Sequence, residues 1–80
     1  MPKLPDVGGA ELLRLLRSLG YEVVRQHGSH VRMTKRTTQG EHHVTVLMHK
    51  TIPKGTLHDT LSKVSIWNNI SEEELIERLK

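Results

Sequence analysis

Apolar positions near the start of the chain recur with a helical period. Leu12, Leu15, Leu16 and Leu19 form one stripe, and Arg14, Arg17 and Ser18 occupy the remaining surface. This pattern predicts a helix that begins near Gly8 or Gly9 and stops at Gly20. Residues 21–26 are rich in β-formers and predict a first strand, with Gly28 making the turn out of it. The period then changes to two. Val31 and Met33 share a face with Val44, Val46 and Met48, which predicts strands over about 30–35 and 42–48 joined by the polar segment 36–41. The opposite face carries His30, Arg32, Thr34, Thr45, Leu47 and His49. With Lys35 paired to His42, His30 falls across from Leu47, and Thr45 and His49 become its diagonal neighbours.

Pro53 breaks the loop that follows, and Thr56 with Asp59 three residues on predicts the capped start of a second helix. Leu57, Leu61 and Val64 give that helix its apolar side, and residues 65–69 read as a break. A last helix is predicted from Ser71 as N-cap, Glu74 as its partner, Ile70 and Leu75 as a hydrophobic staple, and Leu75, Ile76 and Leu79 as the buried side. The order is αβββα plus a short C-terminal helix. The expected fold is α+β: a three-stranded antiparallel sheet with helices on one face, the layout of a double-stranded-RNA-binding domain. All 80 residues are expected to form one domain, with residues 1–7 as an extended lead-in and 65–80 as an extension carrying the last helix.

Charge sharpens this picture. The net charge is +3, and Glu72, Glu73, Glu74 and Glu77 crowd one end, so the rest of the chain is more basic than the total implies. A basic surface fits nucleic acid or an acidic protein partner. Cysteine is absent, which removes a disulfide framework and a thiolate zinc site. No apolar run approaches membrane-spanning length, and Met1-Pro2-Lys3-Leu4-Pro5 lacks the apolar stretch of a signal peptide, so the expected setting is the cytoplasm, with no membrane partner. Phe is absent and there is one Tyr and one Trp, which argues against a platform that stacks successive bases. Any RNA contact then relies on charge and hydrogen bonds.

Gly28-Ser29-His30 carries the candidate chemistry, because it puts an imidazole on rigid backbone beside cations. A neutral histidine accepts a proton near pH 7, and lysine or arginine offsets the charge that grows on a phosphodiester in its transition state. RNA contains its own nucleophile, the 2′-hydroxyl. His30 is therefore the candidate general base, with a nearby cation or a second histidine such as His49 helping the 5′-oxygen leave. Ser29, Arg32, His49, Lys50 and Lys54 are the candidate RNA contacts. Of the six histidines, His42 and His43 are neighbours on a strand and point to opposite faces, and no HxH or HxxxH spacing occurs. Neither a metal site nor a cofactor is expected.

The chain also resembles the HicA toxins. The resemblance is carried by Pro2-Lys3-Leu4-Pro5, Gly9-Ala10-Glu11-Leu12-Leu13, Gly20-Tyr21-Glu22-Val23-Val24-Arg25-Gln26, Gly28-Ser29-His30, Val44-Thr45-Val46 and Lys54-Gly55-Thr56-Leu57, in family order. It implies a metal-independent endoribonuclease that cuts mRNA and is held inactive by a HicB-like antitoxin, with the family's essential histidine at His30. Many members carry a second histidine directly after the first, where this chain has Val31, a position expected to face the core. Two other readings stay open from the residues alone: a non-catalytic RNA-binding module of the same fold, and a protein-interaction module without RNA affinity.

Overall fold

The computed structural model describes residues 3–80, so the first two residues of the expected lead-in lie outside the described residues. Its elements are α1 (Gly9–Ser18), β1 (Glu22–His27), β2 (His30–Thr37), β3 (Gly40–Leu47), α2 (Lys54–Asn68) and α3 (Glu72–Leu79). The strands form one antiparallel sheet in the order β1-β2-β3. The fold is α+β and double-stranded-RNA-binding-domain-like, as the periodicity predicts.

Helix α1 buries Leu12, Leu15 and Leu16. It closes through Gly20, whose φ of 104° suits glycine, with Gly20 N–H donating to Arg17 O and Tyr21 N–H to Leu16 O, both at 3.0 Å. Its start is unusual. Gly8 supplies no side-chain cap, and the Gly9 N–H instead donates to His49 O at 2.9 Å. This brings helix and loop backbones so close that a Cβ on Gly8 would lie 2.3 Å from Lys50 O, and one on Gly9 2.3 Å from Leu47 O.

Strands β2 and β3 pair in the expected register, Lys35 with His42 and His30 with Leu47. The hairpin is longer than the polar composition of residues 36–41 suggests, since Arg36 pairs with Glu41 and Thr37 with Gly40. Thr37 tightens that turn: its Oγ1 donates to Gly40 O at 2.8 Å and accepts from Gln39 N–H at 3.1 Å. Val31, Met33, Val44 and Val46 face the core. Met48 does not, because the ladder ends at Leu47; its side chain is 37% exposed and its N–H donates to Ser29 O.

Two expectations about α2 are corrected. The helix starts at Lys54, because Pro53 acts as N-cap and its carbonyl accepts from Leu57 N–H at 2.9 Å, which leaves Thr56 inside the first turn. It also runs through residues 65–68 instead of breaking there. Asn68 turns its side chain inward, donating to Val64 O and to Tyr21 Oη, both at 2.9 Å, and only Asn69, at φ 54°, ends the helix. Helix α3 starts at Ser71, whose hydroxyl accepts from Glu74 N–H at 3.1 Å. Its Leu75 and Ile76 are fully buried in the same core as Leu16, Leu57 and Leu61.

A polar chain runs from the half-buried edge of that core to the buried Tyr21 and His42. Lys35 Nζ donates to Asn68 Oδ1 at 2.5 Å, Asn68 donates to Tyr21 Oη, and the Tyr21 hydroxyl lies 2.6 Å from His42 Nδ1. The His42 ring stacks on Trp67 with centroids 4.8 Å apart. Burial, then the charges of His43 and Lys63, lower the His42 pKa from its ordinary value, and burial raises that of Tyr21.

Candidate functional site

The helices cover one face of the sheet and leave the other open. Alternation along β2 and β3 that buries Val31, Met33, Val44 and Val46 sends His30, Arg32, Thr45 and Leu47 to the open face. His30 stands at the first position of β2, directly after the turn Gly28-Ser29. Gly28 has a φ of 60°, the left-handed geometry that a tight two-residue turn needs. The backbone of His30 is held on both sides, by pairing with His27 on β1 and with Leu47 on β3, while its side chain is exposed.

The other candidates are distributed over this end of the sheet, the segment after β3 and the start of α2. Ser29 sits in the turn, half-buried, and its carbonyl accepts from Met48 N–H at 2.7 Å, which ties the turn to the segment after β3. His49 and Lys50 follow in that segment, both exposed. His49 is off the ladder, its carbonyl held by the start of α1. Lys54 opens α2 and pairs with Asp6 at 3.2 Å, an exposed ion pair worth little and free to exchange. Arg32 lies two residues along β2 from His30, on the same face.

Two side chains that the periodicity passes over share this surface. Antiparallel register pairs His27 with His30 and Arg25 with Arg32, and directly opposed residues point to the same side. Neither arginine has a carboxylate within ion-pair distance among the described residues. The acids of this face sit toward its other end, where Glu22 pairs in the ladder with Thr34 and Glu41 with Arg36, and Glu41 also lies 3.2 Å from His43. A signal for both residues was present in the chain. Counting outward from a two-residue turn at Gly28-Ser29 matches residue 27 with 30 and 25 with 32. Among the described residues no three His, Asp or Glu side chains gather as a metal-binding group, and His42, turned into the core, belongs to the Tyr21 chain and not to this surface.

The fold defines a small α+β module of the double-stranded-RNA-binding-domain type, with His27, His30, Arg25 and Arg32 at the turn end of its open sheet face. The family model described as the HicA toxin of bacterial toxin-antitoxin systems matches residues 9–65, and the chain belongs to that family. Membership makes it the toxin partner of a toxin–antitoxin pair and implies an antitoxin that binds it. Compared with curated proteins and with solved structures, the chain gives no significant match. The matched segment ends inside α2, yet α3 beyond it fills part of the same core. No helix among the described residues is long and apolar enough to cross a membrane.

Proposed function

We propose that this protein is a metal-independent endoribonuclease that cleaves mRNA in the cytoplasm and is restrained by a HicB-like antitoxin. The observation that carries this reading is the placement of His30: an exposed imidazole on backbone fixed from both sides, on the same open face as Arg32, with no ion pair to a carboxylate among the described residues. His30 accepts the proton of the 2′-hydroxyl as its oxygen attacks the adjacent phosphorus. Arg32, Ser29, His49, Lys50 and Lys54 hold the strand, and the cations offset the charge that builds on the phosphorane oxygens. The products carry a 2′,3′-cyclic phosphate and a 5′-hydroxyl. An antitoxin inhibits by laying an acidic surface over the same end of the sheet.

The test is cleavage of a long RNA in EDTA by the parent and by His30→Ala. Cutting by the parent alone, with cyclic phosphate ends, supports the reading. Fragments ending only in 3′-hydroxyls contradict the mechanism, and intact RNA with a folded parent favours a module that binds RNA without cutting it.

A further inference from the structure

An acid is missing from the reaction above. A 5′-oxygen leaves a phosphorane as an alkoxide unless a proton reaches it, and a single histidine engaged with the 2′-hydroxyl does not supply one at the same moment. The position after His30 offers no second imidazole, since Val31 is 3% exposed and faces the core. His49 lies beyond the end of the ladder.

The register provides one elsewhere. His27 is the last residue of β1, and it pairs directly with His30 across the Gly28-Ser29 turn. Side chains at such paired positions have Cβ atoms roughly 4.5–5.5 Å apart and rise from the same face. Both are exposed. The next pair along the same two strands is Arg25 with Arg32. Like charges placed directly opposite each other destabilise a sheet, and no carboxylate pairs with either arginine among the described residues. An anion seated between them removes that repulsion. On β3, Leu47 and Thr45 complete the two rows, so among the described residues these paired positions hold two imidazoles, two guanidiniums and no acid, with Glu22 and Glu41 toward the other end.

We infer that His27 is the general acid of the site, working opposite His30 on a phosphodiester held by Arg25 and Arg32. This assignment rests on the ribonuclease reading above. The step balances without any further reactant. The 2′-oxygen forms a bond to phosphorus and gives its proton to neutral His30. The bond from phosphorus to the 5′-oxygen breaks, and that oxygen takes the proton of the His27 imidazolium. The products are a 2′,3′-cyclic phosphate and a 5′-hydroxyl, and proton exchange with solvent resets both rings.

The experiment compares two substrates, RNA and a uridine 3′-(4-nitrophenyl phosphate), whose leaving group departs without a proton. The parent is expected to cut both. His27→Gln is expected to lose roughly 10²-fold or more on RNA, the usual worth of a general acid, and to lose the alkaline limb of its pH–rate profile. Its turnover of the aryl ester should stay within about threefold of the parent, which also shows that the variant is folded. His30→Gln should lose both activities. Unchanged RNA cleavage by His27→Gln, or equal losses on both substrates, overturns the role of His27 and leaves the ribonuclease reading standing. A folded parent that cuts neither substrate overturns that reading and the inference with it.

Discussion

The two faces of the sheet are built from alternate residues of the same strands, and they answer to different demands. On the covered face Val31, Met33, Val44 and Val46 pack against helices, and Met33 and Val46 have no exposed surface at all. One residue over, His30, Arg32 and Thr45 stand in solvent on the open face. The covered face is stabilised by apolar area removed from water, a term that is non-directional and tolerant of which apolar residue supplies it. The open face sets Arg25 directly opposite Arg32, like charges that disfavour the pairing. Under the proposed function, stability and chemistry are separated by the pleat, and substitutions should sort by face.

The largest effects should come from the covered side. Leu61→Ala and Ile76→Ala, both in fully buried positions, are expected to destabilise by about 2–5 kcal/mol in urea unfolding. Ile76 is the sharper case, because it lies outside the segment shared with the family: a loss under about 1 kcal/mol would show that α3 is an appendage and not part of the core. Next comes the seam between the faces. Gly9→Ala forces a methyl against Leu47 O and should cost about 1–3 kcal/mol, read as a lower melting temperature.

Acid should act on the covered side as well. His42 is held neutral by burial, so its folded pKa lies below the unfolded value of about 6.5. The unfolded chain then binds more protons as pH falls, and the stability His42 contributes is present above that value and lost as pH drops through the window beneath it. Thermal melts followed by Trp67 fluorescence should show this decline between pH 7.5 and 5.5, with a shallower slope in His42→Asn; equal slopes would contradict it. The smallest stability effect belongs to the open face. Arg25→Gln is expected to leave stability unchanged or raise it by about 0.2–1 kcal/mol, while weakening RNA binding and reducing its salt dependence. A marked loss of stability would show that the arginine pair has a structural role.

Much of this was legible in the chain. The leucine stripe of α1 and the period-two runs around Met33 and Val44 exposed the core, and the Lys35–His42 register, one that the alternation allows, is the one formed. What escaped was set by tertiary partners. Residues 65–69 look like a break because Asn and Ser favour turns, yet Trp67 and Asn68 find a stack and a hydrogen bond inside the molecule, and the helix continues. Alternation sends His42 to the face of Val44, but its partners there, Tyr21 and Trp67, appear only in the folded molecule. On the open face, His30 and Arg32 were visible from alternation within one hairpin. Arg25 and His27 required the second pairing, between β1 and β2, where the register shifts between Val23 and Arg25.

The central claim is that the open face cleaves RNA through His30. Its most direct test is incubation of the purified protein with a long RNA in EDTA, beside His30→Ala prepared identically and shown by melting to be equally stable. The account predicts fragments with 2′,3′-cyclic phosphate ends from the parent and a loss of roughly 10²-fold or more in the variant. Equal cleavage by both proteins, or none by a folded parent, would contradict it.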